Sequence, residues 1–189
     1  MTKNMKSKIL RVGFDLDGVI LYNPARIMRP LISIVKRLLL HKTKLKFYYP
    51  HSPFEKWAWK QFHRSSIFIA PGMNELKMLV KEKKIIAYLV TSRFSFFGTD
   101  LMRWINKNNL DTVFENVYFN KNDEQPHMYK EKMIKKLDLD FFIEDNFDIV
   151  RFVNNKSKTK ILWIYNIFDF FVDYPLKFAS LKAAIKSII

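Results

Sequence analysis

Phe14-Asp15-Leu16-Asp17-Gly18 ends an apolar run, Ile9 to Phe14, that has the length and composition of a β-strand. Two acids, two residues apart, fall where that strand should stop. Gly18 then lets the chain turn sharply without a Cβ penalty. Two carboxylates delivered to one strand end repel each other and lose solvation together. A divalent cation between them removes the repulsion. Taken alone, Asp15 and Asp17 also fit the start of a polar loop, so the rest of the chain decides between the two.

From Ala70-Pro71-Gly72 onward, helical and strand patterns alternate. Amphipathic stretches at 73–83, 100–108, 127–137, 147–153 and 180–188 read as helices. Apolar runs at 85–90, 116–119, 141–143 and 160–165 read as strands, apolar throughout where both faces are covered. With the first strand they predict an α/β fold on a mostly parallel five-stranded sheet. In such sheets the site lies at the carboxyl ends of the strands. After the first strand stand Asp15 and Asp17, and after the second Thr91-Ser92-Arg93. After the fourth stand Glu144-Asp145-Asn146, with Asp148 slightly later. Lys121, Lys130 and Lys132 lie between the third and fourth strands. Acids, hydroxyls and a lysine thus converge on one sheet edge from distant parts of the chain, which is far more specific than any single motif.

Between the two parts of this core, 1–21 and 70–189, lies an insertion, 22–69. Asn23-Pro24 starts it. Ile27, Leu31, Ile34, Val35, Leu38 and Leu39 follow at helical spacing, and a second helix is expected over 54–63, carrying Trp57, Trp59 and Phe62 among Lys56, Lys60 and His63. No acid occurs between Gly18 and Phe54, and Glu55 stands alone before Glu75. Three readings fit this basic, aromatic lobe: a helical hairpin with solvated lysines, a lid that draws an anion to the acids and excludes water, or a surface for nucleic acid or anionic lipid.

Bulk composition narrows the classes. With 189 residues, 49% of them hydrophobic, the chain can build one well-cored domain plus an insertion. The absence of cysteine excludes disulfides, thiolate metal sites and thiol nucleophiles, and a cytoplasmic location is expected. The basic start, Met1 to Lys8, lacks the features of a signal peptide. The most apolar late stretch, Ile161 to Tyr174, carries Asn166, Asp169 and Asp173, so no transmembrane segment is expected. A formal charge of +15 favours anionic partners: phosphorylated metabolites, nucleic acid or an acidic membrane surface. The histidines show no metal-ligand spacing, and no Gly-rich phosphate loop is present.

Asp15-Leu16-Asp17-Gly18, Thr91 in Leu89-Val90-Thr91-Ser92-Arg93, Lys130 and Glu144-Asp145 resemble, in that order, the four signatures of the haloacid dehalogenase (HAD) superfamily. The resemblance covers the chain apart from the insertion, which sits at a familiar cap position. It implies a Rossmann-like three-layer sandwich with a small helical cap after the first strand. It also implies a phosphatase, with a small phosphorylated molecule as substrate and Mg²⁺ as cofactor. Asp15 would be the nucleophile, and Asp17 the acid and later the base. Thr91, with Ser92 as fallback, would bond phosphoryl oxygens, and Lys130 would neutralise charge there, with Lys132 and Lys121 as alternatives. Asp15, the Asp17 backbone carbonyl and Asp145 would hold Mg²⁺. Glu144 and Asp148 would support them from behind, although Asp148 also fits a helix N-cap. Phe142-Ile143-Glu144-Asp145 with Tyr165-Asn166 is similar to the 5'(3')-deoxyribonucleotidase branch, so a nucleotide is the first expected substrate and a sugar phosphate the second. The alternative is a nucleic-acid-binding protein, or a phosphatase of nucleic-acid ends, on the same scaffold.

Overall fold

A computed structural model describes residues 8–22, 45–64 and 68–189. The helix expected over Ile27 to Leu39 lies outside the described residues. The described elements, in chain order, are β1 (Leu10–Phe14), β2 (Leu21–Tyr22), α1 (Pro53–Arg64), β3 (Phe68–Ile69), α2 (Met73–Lys81), β4 (Ile85–Phe94), α3 (Gly98–Lys107), β5 (Asn116–Asn120), α4 (Pro126–Lys136), β6 (Phe141–Glu144), α5 (Phe147–Val153), β7 (Lys160–Ile164), β8 (Lys177–Phe178) and α6 (Leu181–Lys186).

The main sheet runs β5-β4-β1-β6-β7-β8, with every neighbouring pair parallel. Strand periodicity sorts its side chains onto two faces. Val12, Phe14, Ile85, Ala87, Leu89, Ile143, Leu162 and Ile164 face α2, α3 and α6 in one core. Tyr88, Val90, Phe142, Ile161 and Trp163 face α4 and α5 in the other. Helices on both faces explain why these strands are apolar at nearly every position. The three-layer arrangement expected from the sequence is present. β1, at the centre, is wedged tightly on the α4 side. A Cβ on Gly13 would stand 2.5 Å from Leu139 and 2.7 Å from Phe142.

Among the described residues the main sheet has six strands where five were expected. The extra one, β8, has only two residues at the sheet edge, too few to leave a period-2 signal. The second core strand also runs further than expected, to Phe94, so that Thr91, Ser92 and Arg93 belong to β4 rather than to a loop beyond it. Its register against β5 shifts between Thr91 and Phe94: Thr91 pairs with Phe119 and Phe94 with Asn120, leaving Ser92 and Arg93 bulged out of the ladder. A bulge of this kind re-aims side chains at a strand end.

The insertion joins the core through a two-stranded antiparallel ladder, β2 with β3, which the sequence did not suggest. Gly18, at φ 90°, makes the turn that leads into it, and its N–H donates to the Leu21 carbonyl at 2.7 Å. The expected helix over 54–63 is α1, which carries a cap at its start. Glu55 accepts from the N–H groups of His51 and Ser52, while Ser52 Oγ accepts from the Glu55 N–H. The chain leading to α1 is clasped to the core by Asp123. That carboxylate accepts from the Tyr49 hydroxyl at 3.0 Å, the Ser95 N–H at 2.7 Å and the Ser95 hydroxyl at 2.9 Å. Among the described residues, no helix is long and apolar enough to cross a membrane.

Candidate active site

β1 and β6 are hydrogen-bonded neighbours, and the Asp15 N–H donates to the Ile143 carbonyl at 2.9 Å. The residues just past the two strands therefore come out side by side. Carboxylate oxygens of Asp15, Glu144 and Asp145 all lie within 4.8 Å of one another, and all three residues are buried. Lys130, on α4, reaches into this cluster with only 2% of its side chain exposed. Its ammonium lies 3.0 Å from Asp15 Oδ2 and also bonds Glu144 Oε2.

Glu144 is fully engaged. Oε2 takes Lys130, and Oε1 accepts from the N–H groups of Asp145 at 3.2 Å and Asn146 at 2.9 Å. It thus fixes both the lysine and the turn that presents Asp145. The Asp145 carbonyl accepts from Trp163 Nε1 at 3.1 Å, which ties that turn to β7. Asn146, not Asp148, caps α5: its side chain accepts from the Asp148 N–H at 3.0 Å. Asp148 occupies the first turn instead, where an acid complements the helix dipole.

Burial raises the pKa values of Asp15 and Glu144. Lys130 opposes the rise, while the neighbouring carboxylates add to it. Three carboxylates facing one ammonium leave two negative charges when all are ionised. An all-oxygen donor set with that deficit fits a hard divalent cation such as Mg²⁺.

Asp17 has a different environment. The bulge in β4 turns Arg93 back toward it, and the guanidinium grips the carboxylate as a fork: Nε donates to Oδ2 at 2.8 Å and Nη2 to Oδ1 at 2.7 Å. Only 8% of the Arg93 side chain is exposed. From α1, His63 Nδ1 approaches Asp17 Oδ1 to 3.7 Å, with its ring edge-on to Phe97. Burial alone would raise the Asp17 carboxyl, but the charge and hydrogen bonds of Arg93, helped by His63, hold it well below the usual carboxylate range. Thr91 is buried, and its Oγ1 accepts from the Arg93 N–H at 3.2 Å. The Ser92 hydroxyl is buried and has no hydrogen-bond partner among the described residues.

The lysine alternatives separate clearly. Lys132 pairs with Glu124 with more than half its side chain exposed, and Lys121 lies exposed over the Phe119 ring. Lys130 alone of the three joins the acids. Arg93, His63 and Asp123 are the participants that sequence reasoning undervalued. Arg93 stands two residues past Thr91, and that proximity to a strand-end hydroxyl was the available signal. The roles of His63 and Asp123 depend on how the insertion folds back, which no local pattern encodes.

No protein-family model and no curated protein matches this chain. Solved structures do. A HAD-superfamily hydrolase from Ehrlichia chaffeensis is 17% identical, with a TM-score of 0.53 over 94% of this chain and 95% of that one. A family IA HAD hydrolase from Entamoeba histolytica is 14% identical, with a TM-score of 0.56 over 94% and 100%. The Rhodobacter sphaeroides protein CbbY, solved with xylulose-1,5-bisphosphate, is 12% identical, with a TM-score of 0.55 over 93% and 96%. The fold of this chain is therefore the one seen in HAD-superfamily hydrolases.

Proposed function

We propose that this chain is a Mg²⁺-dependent phosphomonoester hydrolase that works through an aspartyl-phosphate. The reading is carried by the buried meeting of Asp15, Glu144, Asp145 and Lys130 at the ends of β1 and β6. Likeness in fold to HAD hydrolases supports it.

A carboxylate oxygen of Asp15 attacks phosphorus as the bond from phosphorus to the leaving oxygen breaks. Asp17, ionised while Arg93 grips it, must first be released and take up a proton from water, and then gives that proton to the leaving oxygen. Water then attacks phosphorus and passes a proton to Asp17. The bond from phosphorus to Asp15 breaks, releasing inorganic phosphate and restoring the carboxylate. Thr91 and Ser92 hold phosphoryl oxygens through their hydroxyls, and Lys130 offsets the charge that gathers on them. Asp15, Asp145 and the Asp17 backbone carbonyl would hold Mg²⁺, which when bound lowers the repulsion between an anionic nucleophile and an anionic phosphoryl group. Glu144 positions Lys130 and the Asp145 turn. Residues 22–69 act as a cap, with His63, Tyr49 and Phe47 among the contacts that its described residues make with the core.

Small phosphorylated molecules are the substrates this reading favours. A nucleotide comes first, because α1 and the chain before it offer the exposed rings of Tyr48 and Trp57 for stacking on a base. A sugar phosphate comes second, supported by the bisphosphate bound to CbbY. A role confined to nucleic-acid binding is less well supported, since buried carboxylates at the sheet edge repel a polyanion and would have no task in it. The test is hydrolysis of p-nitrophenyl phosphate with Mg²⁺. Activity should vanish with EDTA and in Asp15→Asn, and full activity in either condition removes the reading.

A further inference from the structure

Arg93 and Asp17 stand in a relation that a generic phosphate ester does not resolve. Both oxygens of the Asp17 carboxylate are occupied by the Arg93 fork. While that grip holds, the edge of the carboxylate that spans both oxygens is turned to Arg93 and not to a leaving oxygen. Arg93 is itself enclosed, with its guanidinium carbon 5.7 Å from the centre of the Phe97 ring. A buried guanidinium stripped of its anion is strongly unfavourable. For Asp17 to turn toward a substrate, Arg93 needs another anion in its place.

We propose that this anion belongs to the substrate: the leaving group carries a second negative group, a carboxylate or another phosphate, that takes over the Arg93 fork and releases Asp17. The inference rests on the phosphatase reading above and specifies its substrate class. The scissile phosphoryl group has its own ligands in Thr91, Ser92 and Lys130. The Arg93 fork, by contrast, is turned to Asp17, the residue that meets the leaving oxygen. A planar fork matches a carboxylate or phosphate by two parallel hydrogen bonds. Substrate binding and the freeing of Asp17 become one event, and a phosphate ester without the second anion leaves the residue engaged.

The test compares matched esters that differ in the second anion: 2-phosphoglycolate with ethyl phosphate, 3-phosphoglycerate with glycerol 3-phosphate, and adenosine 3',5'-bisphosphate with adenosine 5'-phosphate. The doubly anionic member of at least one pair should be preferred in kcat/KM by about tenfold or more, the value of one charged hydrogen-bonded contact. In Arg93→Met and Arg93→Lys that advantage should fall below about threefold, with Lys retaining charge but losing the fork. Should the variants fail to fold, the Arg93 Nε–H resonance of the wild-type protein serves instead. It should move with the preferred ester and stay still with its singly anionic partner. Equal rates within every pair, an advantage that survives both substitutions, or an unmoved resonance overturns the proposal. Turnover of p-nitrophenyl phosphate without any preference sinks this inference alone, whereas no turnover of any ester sinks the hydrolase reading as well.

Discussion

The ammonium of Lys130 lies 3.0 Å from the carboxylate of Asp15, although 114 intervening residues separate them in the chain. Burial disfavours a charged lysine, yet Asp15 and Glu144 outweigh that and keep its pKa above the ordinary value. The pair is therefore a buried ionic contact whose loss leaves carboxylates crowded without a counter-charge. Lys130→Met should destabilise the fold by ~3–5 kcal/mol, the usual effect of breaking a buried ion pair from one side. Urea unfolding measures it, and a change under about 1 kcal/mol would mean that the acids re-pair or protonate at little cost.

Cation binding should be visible without any turnover. A ligand that binds only the folded state adds about 2.7 kcal/mol of stability at a hundred times its dissociation constant. Titrating Mg²⁺ into the protein should raise its melting temperature progressively, and Asp145→Asn should remove most of that rise. An identical rise in the variant would place the cation somewhere other than this cluster.

Gly13 has no room for a side chain. Its absent Cβ would press on Leu139 and Phe142, which pack in the core beneath α4 and α5. Gly13→Ala should cost ~1–3 kcal/mol as an overpacking change. The denaturation midpoint should drop while the dependence on denaturant keeps its slope, since the same surface is exposed on unfolding.

Asp140 supplies a pH dependence away from the site. Burial pushes its carboxyl upward, but the Arg11 N–H at 2.9 Å and the Lys8 ammonium at 2.5 Å more than offset that and lower the pKa from 3.8. A group whose folded pKa is depressed adds stability above its unfolded value and loses it as pH falls through the folded one. Wild type should therefore exceed Asp140→Asn in stability at neutral pH. The gap should narrow once pH drops below about 4, the ordinary range of an aspartate. Denaturation midpoints across a pH series measure it, and a gap that widens in acid would contradict the assignment.

Much of the fold was legible because it follows from periodicity. Apolar strands and amphipathic helices alternate, and the acids past β1 and β6 mark the working edge of the sheet. Lys130 is the lysine that the resemblance to the third signature favours, with Lys132 and Lys121 as alternatives, and of the three it is the one beside Asp15. The remainder depends on non-local geometry. The bulge that turns Arg93 toward Asp17 is a register shift between two strands, and neither strand records it alone. β8 is too short to carry a pattern. The Asp123 clasp forms only when the chain before α1 folds onto the loop between β5 and α4. His63 reads as a polar helix residue until α1 is docked over Phe97.

The shortness of β8 has a consequence for how copies of this protein meet. A long bare rim on a sheet invites a neighbouring molecule to add its own strand. Here that flank ends after two residues, and Lys177 turns its ammonium onto the carbonyls of Phe170 and Val172. Strand backbone that could recruit a second chain is scarce there, so this side of the sheet is a poor template for self-association.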